Sequence, residues 1–96
     1  MSISGKIAVV TGASRGIGRA IAMELGKKDA VVLGTATSAE GAAKISDWLG
    51  KNGIKGKGYA LDVGDAVSVD NFATQVQKEF GPVEILVNNA GITRDN

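Results

Sequence analysis

The chain has 96 residues, of which 44% are hydrophobic and 22% are charged, and its net charge is +1. This balance is typical of an ordinary globular protein and gives no electrostatic bias towards nucleic acid or a membrane surface. Neither cysteine nor histidine is present, which excludes disulfides, thiol catalysis and the commonest zinc ligands. The first residues, M-S-I-S-G-K, do not resemble a targeting segment, so we expect a cytoplasmic protein that holds no metal.

The stretch from Ile7 to Arg19, I-A-V-V-T-G-A-S-R-G-I-G-R, predicts a strand, a glycine turn and a helix. Its apolar residues run without alternation, which suits a parallel strand covered on both faces. The helix would direct its free backbone N–H groups and the positive end of its dipole into the turn, which favours a bound phosphate. The alternative is a glycine-rich turn that binds nothing.

The glycines of this turn stand where a side chain would obstruct the structure. Gly12 lets the chain leave the strand, Gly16 lets the backbone approach a pyrophosphate, and Gly18 lets the helix lie close to the strand. The spacing G-x-x-x-G-x-G has a longer first gap than the common dinucleotide fingerprint. We therefore expect Ser14 and Arg15 at the tip of a wide loop.

Helical spacing continues behind the loop, over about residues 16–28. Ile17, Ile21 and Leu25 recur one helical turn apart, and we predict that this stripe faces the sheet. A second continuous apolar run, from Ala30 to Gly34, predicts another buried strand.

A second helix is expected after Ser38, whose hydroxyl can cap the free N–H groups, and Gly50 and Gly53 are expected to end it. Trp48 is interpreted as a packing residue of this helix and not as a cofactor contact. The lysines beyond it indicate a solvated basic loop; a nucleic-acid patch is disfavoured, because only Tyr59 supplies an aromatic ring there. These lysines are Lys51, Lys55 and Lys57.

The third strand is predicted from Gly58 to Val63, and the fourth from Val83 to Val87. Between them, Asp65 is expected to cap a third helix that cannot continue through Pro82. The fourth strand runs into the loop Asn88-Asn89-Ala90-Gly91. The apolar residues at helical spacing in the third helix are Val69, Phe72, Ala73, Val76 and Phe80.

Strands that alternate with helices in this way predict the start of a Rossmann-type, doubly wound parallel α/β sheet with the strand order 3-2-1-4. This order returns the fourth strand to the side of the first. The glycine loop and the Asn88–Gly91 loop then flank the topological switch point, where such sheets bind ligands. We interpret residues 1–96 as one incomplete domain, because an open sheet usually needs about 100–200 residues.

Two motifs resemble those of the short-chain dehydrogenase/reductase family. Its T-G-x-x-x-G-x-G motif matches residues 11–18, and its N-N-A-G motif matches residues 88–91. The resemblance covers the whole chain but only the first part of the family's enzyme. Three sequence segments are most similar to members of the family that act on acyl thioesters. They are T-G-A-S-R-G-I-G-R-A-I-A, G-T-A-T-S and N-N-A-G-I-T-R-D-N.

The resemblance implies an NADPH-dependent reduction of a 3-oxoacyl thioester, carried by acyl carrier protein, to the 3-hydroxyacyl form in fatty-acid elongation. It also implies a homo-oligomer, a tetramer in related enzymes. Two other hypotheses stay open at this point. The protein could reduce another carbonyl substrate, such as a sugar or a steroid, or the 96 residues could be a nucleotide-binding module without catalysis.

The preference for NADPH has a physical basis in this sequence. Members of this fold that prefer NAD place an acidic residue near the end of the second strand, whereas Ala36, Thr37 and Ser38 are uncharged. A carboxylate about 4 Å from a phosphate would be repelled by roughly 4 kcal/mol per unit charge near a protein surface. Arg15 can pair with the 2′-phosphate and Thr37 can offer a hydroxyl. The alternative for Arg15 is a solvent-exposed charge.

The resemblance adds further contacts to this cofactor. It implies that Asp62 accepts a hydrogen bond from the adenine amino group beside Val63, and that residues 89–91 flank the adenosine ribose. Asp62 could instead organise a turn, and Asn88 and Asn89 could shape their loop. The expected cofactor-binding residues are Gly12, Ala13, Ser14, Arg15, Gly16, Ile17, Gly18, Thr37, Asp62, Val63, Asn89, Ala90 and Gly91.

No catalytic residue is identified in this chain. The family's chemistry rests on a later Ser, a Tyr-x-x-x-Lys pair and an Asn. Tyr59, the single tyrosine, has Val63 where the lysine would be required. A tyrosine acts as a general acid near neutral pH only where a neighbouring cation lowers its pKa within reach of the carbonyl. We therefore expect the 96 residues alone to be inactive.

Overall fold

Strands and helices alternate along the chain in the computed structural model, which describes residues 2–89. The predicted site residues Ala90 and Gly91 lie outside the described residues. In chain order the elements are β1 (Ile7–Val10), α1 (Gly16–Lys27), β2 (Val31–Ala36), α2 (Ala39–Lys51), β3 (Gly56–Ala60), α3 (Ala66–Glu79) and β4 (Ile85–Val87).

The strands form one parallel sheet in the order β3-β2-β1-β4, which confirms the predicted topology. Val9 in β1 pairs with Leu33 in β2 on one side and with Leu86 in β4 on the other. The chain moves outwards from β1 to β3 and then crosses back to β4. Right-handed connections therefore place α1 and α2 on one face of the sheet and α3 on the other.

Two apolar clusters match these two faces. The cluster under α1 and α2 comprises Val10, Ala13, Ala22, Val32, Ala36, Ile45, Trp48 and Leu49. The cluster under α3 comprises Ile7, Val9, Leu33, Tyr59 and Val76, with Phe72 and Phe80 packed against it. All residues of β1 are buried, as the unbroken apolar run predicted for a strand covered on both faces.

The prediction that the Ile17 stripe of α1 faces the sheet is wrong at its first member. Ile17 is 72% exposed, whereas Gly18 and Ala22 are buried. A Cβ atom at Gly18 would overlap the carbonyl oxygen of Gly12, so the helix packs against the turn after β1 through this glycine. Small residues thus set the rotation of α1, and Ile21 and Leu25 pack only against the margin of the cluster.

The predicted bounds of the strands after β1 are wrong by two or three residues. β2 continues to Ala36, and β3 occupies residues 56–60 and not 58–63. The sequence pattern placed the start of β3 late, at Gly58, because Gly56 is a poor strand former by propensity. Both are required sterically, since a Cβ atom would overlap the carbonyl of Val32 at Gly56 and that of Ala42 at Gly58.

β4 begins two residues later than predicted, and Glu84, the residue before it, binds the start of β1. The backbone N–H of Glu84 donates to the carbonyl of Ile7 at 2.9 Å. Its carboxylate accepts from the N–H of Ile7 at 3.3 Å and from the Lys6 ammonium at 3.5 Å. These bonds fix the register of β4 on β1.

The predicted helix caps are confirmed, but the predicted ends are less accurate. The Ser38 hydroxyl accepts from the N–H of Gly41, and the Asp65 carboxylate accepts from the N–H of Val67, both at 3.0 Å. α2 continues through Gly50 to Lys51. Of the apolar stripe predicted for α3, Val69 and Ala73 are exposed and Val76 is fully buried.

Candidate functional site

The loops that follow the strands lie at one edge of the sheet. Because the strands are parallel, their carboxyl ends meet there. The N–H of Leu61 donates to the carbonyl of Ala36 at 2.8 Å, which joins the loops after β3 and β2. The N–H of Thr11 donates to the carbonyl of Val87 at 3.0 Å, which joins the loops after β1 and β4.

Hydrogen bonds between the loop of Thr11 and Gly12 and the loop of Asn89 join the two loops at the switch point. We call this set of bonds the clasp. The Thr11 hydroxyl accepts from the N–H of Asn89 at 2.9 Å, and it lies 3.2 Å from Oδ1 of Asn88. The side-chain amide of Asn89 donates to the carbonyl of Gly12 at 3.2 Å. The structure therefore brings Asn88 and Asn89 beside the glycine motif, and their hydrogen bonds support the interpretation that they shape the loop.

The amino end of α1 differs from those of α2 and α3. Its N-cap residue, Arg15, makes no side-chain capping hydrogen bond. Ser38 and Asp65 cap the other two helices. The first N–H groups of α1 are thus left for another acceptor, and a phosphate oxygen is the acceptor that the helix dipole favours.

The glycines shape this end of α1 into a cradle. Gly12 and Gly16 both have φ values of +63°, a conformation that side-chain-bearing residues adopt rarely. The space that a side chain at Gly16 would fill is open. At Gly18 an added Cβ atom would also stand 2.7 Å from the side-chain amide of Asn89. A bound group could therefore approach the backbone at Gly16 while Gly18 keeps the helix against the clasp.

Ala13 and Ser14 fix the loop against the second strand and helix. The N–H of Ala13 donates to the carbonyl of Thr35 at 2.9 Å, and its methyl group is buried. This N–H is therefore occupied, and Ala13 contributes to the site by anchoring the loop. A Cβ atom at Gly41 would stand 3.8 Å from that of Ser14, so the loop lies beside the start of α2.

Arg15, Ile17 and Thr37 are exposed at this edge, at the start of α1 and the end of β2. Ala36, Thr37 and Ser38 bring no charge to the end of β2. Glu40, the next carboxylate along the chain, lies in the first turn of α2, where it complements the helix dipole.

Asp62 and Val63 lie after the end of β3, whereas the prediction placed them inside this strand. Oδ1 of Asp62 accepts from the N–H of Gly64 at 2.9 Å, and the carbonyl of Asp62 accepts from the N–H of Asp65 at 3.1 Å. These bonds support the interpretation that Asp62 organises a turn. Among residues 2–89, nothing donates to its Oδ2, and the Val63 side chain is exposed.

Tyr59 lies in β3, the outer strand, and takes part in a structural network. Its hydroxyl donates to Oε1 of Glu79 at 2.8 Å, and its ring packs edge-on against Phe72 at 5.1 Å. Burial raises the pKa of Tyr59 well above its ordinary value, and the hydrogen bond to Glu79 and the charge of that carboxylate raise it further. Such a tyrosine is the opposite of an activated acid.

Other features of the described residues lie away from this edge. A cavity of about 310 Å³ opens at the amino ends of the strands, lined by residues such as Gly5, Asp29 and Ile54. Within residues 2–89, no three acidic, cysteine or histidine side chains gather as metal ligands would. None of the helices described there has the length and apolarity needed to cross a bilayer.

The fold and the glycine cradle together define a Rossmann-type α/β protein with its crevice at the switch point between β1 and β4. A family model described as short chain dehydrogenase matches residues 6–96. The chain therefore belongs to the short chain dehydrogenase family, as its two motifs indicated.

Curated relatives are similar to the chain over its whole length. It is 58% identical over 96 residues to 3-oxoacyl-[acyl-carrier-protein] reductase FabG of Pseudomonas aeruginosa, and 60% and 59% identical to the proteins of that name from Salmonella typhimurium and Escherichia coli K12. The alignments cover 100% of this chain and 38–39% of those proteins. The chain thus spans about two fifths of the length of these relatives.

The sequence does not reveal the clasp or one contact between helices. The T-G-x-x-x-G-x-G motif contains Thr11, but the motif does not show that the Thr11 hydroxyl joins the two loops. The guanidinium group of Arg19 in α1 lies over the ring of Trp48 in α2, 5.4 Å from its centroid. A threonine that ends a buried strand beside a glycine turn is a signal that could have identified the clasp. Nothing in the spacing of the sequence indicates the contact between Arg19 and Trp48.

Proposed function

We propose that the chain is the cofactor-binding, amino-terminal portion of an NADPH-dependent 3-oxoacyl-[acyl-carrier-protein] reductase, and that residues 1–96 form one incomplete domain. The observation that carries the binding role is the uncapped amino end of α1, which faces Asn89 across the switch point. Family membership supports oxidoreductase chemistry on a nicotinamide cofactor. The high identity to reductases of one name supports the acyl substrate.

In this proposal the diphosphate binds the N–H groups at Gly16, Ile17 and Gly18. These groups have no side-chain cap, and the dipole of α1 favours the negative charge. Gly12, Ala13 and Ser14 hold the loop that leads to them. Asn89, with Ala90 and Gly91, would close the crevice beneath the adenosine ribose.

The adenosine end would extend towards the loops after β2 and β3. Oδ2 of Asp62 is available to accept from the adenine amino group, while Oδ1 keeps the turn, so both roles of Asp62 are compatible. Val63 is exposed beside it and offers an apolar contact.

The 2′-phosphate would lie between the glycine loop and the end of β2. Arg15 is exposed there and can bind a phosphate with two parallel hydrogen bonds, and Thr37 can add a hydroxyl donor. The absence of charge at Ala36, Thr37 and Ser38 removes the repulsion that a carboxylate would exert on the phosphate. These features favour NADPH over NADH.

NADPH, when bound, supplies the hydride that reduces the 3-oxo group. The residues of this chain bind and orient the cofactor. The proton for the new hydroxyl would come from the family's Ser and Tyr-x-x-x-Lys residues in a later segment, because Tyr59 is tied to Glu79. We therefore propose that the 96 residues alone are inactive, and that the full-length protein is a cytoplasmic homo-oligomer that accepts substrates on acyl carrier protein.

The cofactor assignment is tested by calorimetric titration of the full-length protein with NADPH and NADH. Arg15→Ala should weaken NADPH binding by roughly tenfold or more, because a charge-assisted phosphate contact is lost, and should leave NADH binding nearly unchanged. Lys27→Ala, at the far end of α1, is the matched control. Equal affinities of the wild type for the two cofactors would refute the preference.

The substrate is tested with a panel of carbonyl compounds and the full-length enzyme. Turnover of 3-oxoacyl thioesters on acyl carrier protein should exceed that of sugars and steroids. If the enzyme prefers a sugar or a steroid, the proposed acyl substrate is wrong, and the proposed cofactor site still stands. NADPH oxidation by the isolated 96 residues would refute the inactivity of this portion.

A further inference from the structure

Gly41 lies in the first turn of α2, where the backbone itself does not require glycine. The residue is helical, and its φ value is not positive. Alanine favours a helix more than glycine does, so helix formation alone would select another residue at this position. The surroundings of Gly41 therefore determine whether a side chain fits.

Three parts of the protein meet at Gly41. A Cβ atom there would stand 2.7 Å from the Cβ atom of Ala36, at the end of β2. It would lie 3.4 Å from Oγ of Ser38, the N-cap of α2, and 3.8 Å from the Cβ atom of Ser14 in the glycine loop. Carbon atoms in contact normally stand about 3.5–4.0 Å apart. The first distance therefore leaves no room for a side chain, and the other two show close packing.

The end of β2 is held on both sides. The N–H of Leu61 donates to the carbonyl of Ala36 at 2.8 Å, and the N–H of Ala13 donates to the carbonyl of Thr35 at 2.9 Å. The middle of α2 is also fixed, since Ile45 is fully buried in the cluster under α1 and α2. A side chain in the first turn of α2 would therefore tilt the amino end of this helix away from the strand and the glycine loop.

We propose that Gly41 is a positioning residue that favours the binding of NADPH over NADH. This inference rests on the proposed function, which places the 2′-phosphate between the glycine loop and the end of β2. Thr37 stands just before the N-cap of α2, and Arg15 follows Ser14 in the glycine loop. The close packing at Gly41 sets the width of the gap between Thr37 and Arg15, so that both can reach one phosphate.

The test titrates the full-length protein with NADPH and NADH and compares Gly41→Ala with Gly50→Ala. Gly41→Ala should weaken NADPH binding roughly three- to tenfold, because a wider gap weakens a charge-assisted contact to the 2′-phosphate. NADH has no phosphate there, so its binding should change less. Gly50 lies in the same helix with open space around it, and Gly50→Ala should keep both affinities.

Ala36→Gly provides a rescue that a general loss of stability would not show. It removes the methyl group nearest to the added Cβ atom, so the double variant Ala36→Gly/Gly41→Ala should recover most of the NADPH preference. The Ala36→Gly single variant completes the double-mutant cycle. Where Gly41→Ala does not fold, Ala36→Val enlarges the opposite side of the same contact and should lower the NADPH preference in its place.

Different results would overturn this inference and the proposed function. If the wild type prefers NADPH and Gly41→Ala, or Ala36→Val in its place, keeps that preference, the inference is wrong and the proposed function stands. The inference is also wrong if Gly41→Ala weakens both cofactors equally or the double variant recovers nothing, since either result indicates a purely structural role. If the wild type shows no preference for NADPH, the proposed function fails first.

Discussion

Single side chains join parts of this fold that are far apart in sequence. The Thr11 hydroxyl connects β1 to the loop after β4 through the N–H of Asn89. The sequence predicted that these loops meet, because the strand order follows from crossover rules. It could not show that Asn89 donates to Gly12, since hydrogen-bond partners depend on positions that spacing alone does not fix.

Glu79 makes stability depend on pH at the other face of the sheet. Its pKa is lowered, chiefly by the hydrogen bond from Tyr59 and also by Lys57, whose ammonium lies 3.2 Å away. A carboxyl group with a lowered folded-state pKa stabilises the protein fully above its unfolded value, near 4.5. That contribution is lost as the pH falls through the folded-state value.

We therefore predict that Glu79→Gln lowers the free energy of unfolding at neutral pH and that the difference from the wild type shrinks below about pH 4.5. Urea denaturation at a series of pH values measures this. Tyr59→Phe removes the main cause of the lowered pKa and should reduce the pH dependence in part. A difference that stays constant from pH 7 to pH 3 would contradict the account.

At the scale of elements, glycines control how α1 meets the sheet. Periodicity predicted the existence and order of every helix and strand, because apolar runs and caps are local properties of the sequence. It misjudged the face of α1, since an exposed Ile17 and a buried Gly18 reverse the usual hydrophobic pattern. Close packing of backbone on backbone leaves no apolar signal in the sequence.

Gly18 and Gly50, each within a helix, give a matched pair of substitutions. Gly18→Ala should cost about 1–3 kcal/mol, because its methyl group meets the backbone of Gly12, and cofactor binding should weaken with it. Gly50→Ala has open space around it and should stabilise α2 by up to about 1 kcal/mol. Thermal unfolding and NADPH titration measure both effects. If the two substitutions change stability and NADPH binding equally, α1 does not pack closely on the clasp.

At the scale of the whole molecule, the parallel order brings the loops after all four strands to one edge. The motifs in residues 11–18 and 88–91 predicted this edge as the site. The structure adds that, of the three described helices, only α1 has no side-chain cap at its amino end. The cavity of about 310 Å³ lies at the opposite edge, away from both motifs.

Hydrogen–deuterium exchange of the full-length protein with and without NADPH tests the central claim most directly. The first N–H groups of α1 have no intrahelical partner, so they should exchange rapidly until a phosphate accepts from them. We predict slower exchange in peptides that cover residues 11–19 and 88–91 when NADPH binds. Protection confined to peptides around residues 4–5, 29–31 and 53–55, which line the cavity at the opposite edge, would contradict the account.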